Sequence, residues 1–223
     1  MKKIETKKIA VSAMLAAVAF LVTMLTAIFK VSGFLSLDLK DAVLSIIALM
    51  YGPFYGFISV IVVALVEFVT ISTTGLYGLV MNILSSGTFA LICGFIYKFK
   101  RNFSGAIIAA SVTVVSVTSV MLLANIFITP LYFQMPTQAV IDMLPGILLP
   151  FNLFKTIMNA SIMLLVYKPF TTALKTAGLL KSNDNTVYKF NKKSMWLTIC
   201  AVILILIAVA VMLYLGVEVK VVK

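Results

Sequence analysis

Apolar residues run through this chain in long blocks, not in amphipathic stripes. The blocks cover about 9–29, 42–51, 54–71, 76–97, 104–129, 147–168 and 195–216. A helix on the surface of a soluble domain alternates apolar and polar faces every three to four residues, and these stretches do not. Most are near the twenty residues or so that cross the roughly 30 Å hydrocarbon core of a bilayer. The pattern predicts an all-α membrane protein.

Two blocks need a decision. Residues 42–71 form either one long helix or two helices broken at Gly52, Pro53, Phe54, Tyr55 and Gly56. Proline removes a backbone donor and glycine frees the backbone, so the pair favours a break. Charge supports it. With the break real and the N-terminus in the cytoplasm, thirteen of the eighteen basic residues fall inside: Lys2, Lys3, Lys7, Lys8, Lys98, Lys100, Arg101, Lys168, Lys175, Lys181, Lys189, Lys192 and Lys193. A single crossing over 42–71 would throw the Lys98–Arg101 cluster to the opposite side from the N-terminus. The positive-inside rule therefore predicts two segments. Asp38, Asp41 and Asp142 then lie in outer loops, and Glu67 near the outer end of the third helix. The basic start before residue 9 and the length of the first block read as a retained helix, since a secretory core is shorter.

Composition narrows the partners. Hydrophobic residues make up 62% of the 223 positions and charged ones 11%, against about 25% charged in soluble domains. The net charge of +11 sits in short tracts between apolar blocks. That placement suits topology and anionic headgroups of the lipid bilayer, and no continuous basic face offers itself to nucleic acid. Cys93 and Cys200 fall inside apolar blocks and read as fillers, not a disulfide. The chain has no histidine, which excludes Ser-His-Asp triads and histidine-dependent metal sites.

A polar group inside a span is costly and marks function. Glu67, Asn82, Asn125, Asn152, Lys155 and Asn159 are such groups, and all fall in the outer half of their helices. Asn152, Lys155 and Asn159 are spaced three and four apart and share one face. The inner halves are apolar or small, apart from Ser111, Thr113, Ser116, Thr118 and Ser119, which suit helix packing. A channel needs polar groups through its full depth. This pattern predicts a pocket open outward and sealed beneath. The run 31–41, containing Leu37, Asp38, Leu39, Lys40 and Asp41, alternates apolar and charged residues like a short extended lid. Each group also has a plainer reading. A lysine one turn past Pro150 reaches headgroups by snorkelling, asparagines bond helices together, and Glu67 suits an interface. Amides that donate and accept, one ammonium, and Met-rich aromatic surroundings fit a neutral planar heteroaromatic solute.

On these residues the chain resembles the substrate-binding membrane subunit of energy-coupling factor (ECF) vitamin transporters, most of all the riboflavin branch. The resemblance covers about residues 7–170. It rests on Ala10, Ala13, Ala16 and Ala17 in the first helix, on Leu37–Asp41, on Tyr51–Gly56, on Asn125 before Thr129, Pro130, Leu131 and Tyr132, and on Pro150–Lys155. It implies a six-transmembrane-helix bundle of the ECF S-component type, with an extra C-terminal transmembrane helix at 195–216 that the usual pattern lacks. It divides the chain into a binding bundle (1–170), a cytoplasmic linker (171–193) and a last helix with a short tail (194–223). It implies riboflavin as transported ligand, with Asn125, Asn152 and Lys155 at positions that contact the flavin and no resident cofactor; Leu39, Asp41, Glu67 and Asn82, toward the same outer end, are expected as further binding positions. It implies partners too: a coupling transmembrane protein, docked through Ala13 and Ala17, and two ATPases, in a bacterial plasma membrane. The chain has no GxxxxGK[ST] loop to supply the ATPase itself, and no HExxH, GxGD or GxSxG of an intramembrane enzyme. Another vitamin or pterin-like solute, or a non-transport assembly protein, are the competing readings.

Overall fold

The computed structural model describes residues 2–26, 29–31, 35–176 and 220–221. Helices dominate: α1 (Lys2–Thr26), α2 (Lys40–Tyr51), α3 (Pro53–Thr70), α4 (Gly75–Phe99), α5 (Phe103–Phe133), α6 (Thr137–Met143) and α7 (Leu149–Thr176). Leu144–Leu148 makes a π-helical turn that joins α6 to α7. Five helical runs are long and apolar enough to cross a bilayer: Thr6–Thr26, Pro53–Thr70, Gly75–Phe99, Phe103–Phe133 and Thr137–Ala173.

The break between α2 and α3 stands where the sequence puts it. Gly52 takes φ +107°, a conformation open to glycine, and Pro53 opens α3, where a missing N–H costs nothing. The expectation of six core crossings is met only in part. α2 has twelve residues, about 18 Å of helix, shorter than the hydrocarbon core, and it runs inside the bundle from one end to the Gly52 turn at the other. It packs against α1, α3, α4 and α7, and nine of its residues are buried. Small residues let this inner helix close on its neighbours. A Cβ on Gly56 would come within 2.6 Å of the Ala48 Cβ, and one on Gly94 within 2.8 Å of the Pro53 Cα. Of the expected linker at 171–193, residues 171–176 instead continue α7; the rest of it and the seventh helix at 195–216 lie outside the described residues.

The stretch between α1 and α2 is only partly the extended lid that alternation suggests. β1 (Phe29–Val31) and β2 (Leu35–Ser36) pair antiparallel, with Lys30 opposite Ser36. β3 (Lys220–Val221) adds to the other edge of β1. Lys40 and Asp41, however, open α2, where an acid in the first turn suits the helix dipole.

The two ends of the bundle differ. Near the Gly52 turn, Lys8 stacks over the Tyr55 ring, and Lys168 over Phe103 at the start of α5. With Lys98 in the last turn of α4, and Lys100 and Arg101 in the α4–α5 connection, this forms a basic end. Its interior is sealed between α4 and α7. The Cys93 Sγ lies 3.4 Å from the Met163 Sδ, and the Tyr97 and Tyr167 hydroxyls bond to each other one turn further along. At the opposite end, below the β1–β2 hairpin, the interior is polar.

Candidate solute-binding site

Three local devices aim polar groups inward at the hairpin end. The first is Asn159 on α7, which is fully buried. Its Oδ1 accepts from the Ala42 N–H at 2.9 Å, capping α2 from another helix, and its Nδ2 donates to the Asp38 carbonyl at 2.9 Å. An N-terminal N–H of a helix has no partner of its own, and Leu39 at the N-cap offers no side-chain bond. Asn159 supplies it and so fixes the chain from Asp38 into α2.

The second device is the irregular stretch of α6–α7. Pro145 and Pro150 lack backbone donors, and the helix passes them through the π turn. The Asn152 Nδ2 donates to the Leu148 carbonyl at 2.8 Å. The third is α5 around Pro130. There the Asn125 Nδ2 donates to the Met121 carbonyl at 2.7 Å, and its Oδ1 accepts from the Thr129 hydroxyl at 2.8 Å. α5 continues through Pro130 to Phe133.

These devices surround a cavity of about 200 Å³, far above the roughly 10–15 Å³ that one water needs. Asn82, Asn125, Asn152, Lys155 and Glu67 all line it, so the structure gathers five of the seven predicted binding residues around one space. Leu39 and Asp41 do not line it. Apolar and aromatic walls come from Met81, Met121, Phe151, Tyr77 and Tyr132, with the last two rings edge to face at 5.7 Å.

The charges form a network that the sequence reading dispersed among loops and helix ends. The Lys155 Nζ donates to the Asp38 Oδ2 at 2.8 Å, so this ammonium is engaged in the interior and does not snorkel. The Lys40 Nζ lies 2.5 Å from the Glu67 Oε2 and 3.9 Å from the Asp38 Oδ2. Asn82 adds a hydrogen bond to the same Glu67 oxygen at 3.1 Å. Burial pushes the Asp38 carboxyl up, but the ammoniums of Lys155 and Lys40 outweigh it and hold Asp38 below the usual carboxylate range. Asp41, in the short α2, goes the other way. Burial, and next the Asp38 carboxylate, push it up to about 6.

Lys40 and Asp38 are the residues that sequence reasoning undervalued. Both were counted as loop charges, yet Lys40 is only 1% exposed and Asp38 3%. The signal was the crowding of three acids and two lysines at one predicted depth, which implies mutual pairing. The hydroxyl run behaves as packing in part. Ser111 and Ser119 bond their own helix carbonyls, whereas Thr113 and Thr118 are buried without a hydrogen-bond partner among the described residues. Ala13 and Ala17 lie exposed on α1. Among the described residues no cluster of three potential metal ligands occurs.

Comparison with known proteins agrees with this architecture. The family profile described as "ECF transporter, substrate-specific component" matches residues 7–167. A solved structure described as "Structure and mechanism of the S component of a bacterial ECF transporter" aligns with a TM-score of 0.66 at 26% identity. The alignment covers 77% of this chain and 99% of that one. No curated protein sequence matches significantly.

Proposed function

The chain belongs to the substrate-specific components of ECF transporters, and from that premise we propose that its cavity captures riboflavin. Members of this family work with a coupling membrane protein and ATPases, and they are transporter subunits, not enzymes. The observation that carries the ligand reading is the convergence of Asn125, Asn152 and Lys155 on one cavity with aromatic and methionine walls. Two amides and an ammonium match the carbonyl and imide edge of a flavin. The walls suit its flat ring.

In this reading the hairpin end faces outward and the basic end faces the cytoplasm, as the lysine distribution favours. Ala13 and Ala17 dock onto the coupling protein, because their exposed small side chains permit close helix approach. Cys93, Met163 and the Tyr97–Tyr167 pair close the basic end between α4 and α7 among the described residues, and in this reading release waits for the coupled complex.

Titration of purified protein in detergent with riboflavin tests the ligand. Stoichiometric quenching of flavin fluorescence at micromolar protein is the expected result. No quenching ends the riboflavin assignment, and quenching of a pterin instead redirects it to another flat heterocycle.

A further inference from the structure

Five charged side chains meet at the hairpin end: Asp38, Asp41, Glu67, Lys40 and Lys155. Their pairing leaves an imbalance of three carboxylates to two ammoniums. Each carboxylate also keeps one buried oxygen with no hydrogen bond among the described residues: the Asp38 Oδ1, the Asp41 Oδ1 and the Glu67 Oε1. A surplus negative charge is expensive in a dry interior and is removed by pairing or by protonation.

The surplus falls on Asp41. Asp38 faces both ammoniums, and Glu67 has Lys40 and the Asn82 amide. Asp41 is 2% exposed and has no ion pair within 4 Å among the described residues. The Asp38 carboxylate opposes its ionisation, and the Lys155 and Lys40 ammoniums, each paired elsewhere, favour it only from beyond 4 Å; little other charge lies near. α1 carries no charged residue beyond Lys8, α3 carries only Glu67, and α4 carries only Lys98 at its far end. α7 contributes Lys155 on this side, already paired with Asp38. From α4 the Ser86 hydroxyl faces Asp41. It is itself 1% exposed and makes no full hydrogen bond among the described residues, so it lends the Asp41 carboxylate only weak support.

We propose that Asp41 is a proton-binding site behind the cavity, and that filling the cavity draws a proton onto it, so that solute capture is linked to proton uptake. The proton comes from solvent and converts the carboxylate to a carboxylic acid, bringing the five-residue cluster to zero net charge. Two effects drive the linkage. A solute expels water from the cavity, which makes the surplus charge costlier. A solute carbonyl that takes a hydrogen bond from Lys155 also competes with Asp38 for that ammonium, weakening the cluster's positive side. The second effect rests on the riboflavin reading above; the proton site itself does not.

Two experiments test this with full-length protein. In the ligand-free protein, the infrared difference between wild type and Asp41→Asn should show a protonated carboxylic acid band that titrates between about pH 5 and 8, a range within reach of buried carboxyls. Absence of that band overturns the proton site, whatever the ligand proves to be. Riboflavin titrations should then weaken with rising pH above about 6, by up to tenfold per pH unit for one proton. The Asp41→Asn protein should bind with little pH dependence. Calorimetry in buffers of different ionisation enthalpy should report up to one proton taken up per flavin. Equal affinity of wild type from pH 6 to 8 overturns the linkage. If riboflavin does not bind at any pH, the ligand assignment fails, and the infrared band alone decides the proton site.

Discussion

The two ends of this bundle are built from the same helices and do opposite things. At the basic end, α4 and α7 meet through Cys93, Met163 and the Tyr97–Tyr167 pair, and the interior is closed. At the hairpin end the same two helices line a cavity, where their side chains are Asn82, Asn152 and Lys155. Along α7 the change takes two turns, from Lys155 through Asn159 to Met163. A helix pair thus acts as seal or as receptor according to the side chains at successive turns. A sulfur contact and a hydroxyl pair close one end, while the other gathers amides and charged groups around open space.

Substitutions can break this contrast. The largest effect is expected from Lys40→Met. It strips the Glu67 and Asp38 carboxylates of a buried partner and should cost about 3–5 kcal/mol of stability, read as a lowered melting temperature in detergent. A melting temperature close to wild type would mean that the cluster is hydrated and its pairing weak. Met163→Ala attacks the seal. A cost of about 2–5 kcal/mol is expected for such a buried truncation, with ligand affinity retained. A large loss of affinity there would show that the two ends are not independent. Lys155→Ala should weaken riboflavin binding by about 1.5–3 kcal/mol. Unchanged affinity would remove this ammonium from ligand recognition.

Smaller effects sharpen the electrostatics. Burial, and next the Asp38 carboxylate, push the Asp41 carboxyl up to about 6, above its unfolded value of about 3.9. Its ionisation in the fold therefore destabilises wild type as pH rises through this window, fully above pH 6. Asp41→Asn should be the more thermostable protein at pH 8, with the advantage fading as pH falls toward 4. Asp38 has the opposite sign, because its lowered value makes its contribution present above about pH 4 and lost only in stronger acid. The smallest effect concerns α1. Ala13→Leu should change riboflavin affinity by less than about 0.5 kcal/mol, as expected of an exposed site, while uptake in cells falls. Loss of binding by this variant would remove docking as the role of that face.

Much of this was legible in the chain because the bilayer imposes strong rules. Block lengths located the long helices, and the Gly52–Pro53 pair with the lysine count located the α2–α3 break. Depth along each helix picked out Asn82, Asn125, Asn152, Lys155 and Glu67, which the fold brings to one cavity. What stayed hidden was pairing across helices. Periodicity cannot show that Asn159 caps α2 across 117 positions of sequence, or that Lys40 turns inward to Glu67 instead of out to water. Nor did block length show that α2 is a short helix ringed by α1, α3, α4 and α7, since a helix surrounded by protein is as apolar as one in lipid. The π turn was likewise invisible, because an apolar block that begins near residue 147 does not show the helix running back through Pro145 into α6.

Sided binding in sealed vesicles tests the receptor-and-seal account most directly. Protein is reconstituted, the fraction of molecules with the hairpin end outward is measured by protease or label access, and riboflavin is added outside only. The account predicts that the bound flavin equals that fraction and rises to full occupancy only when the vesicles are opened. Full occupancy in sealed vesicles, or binding from the basic end, would contradict it.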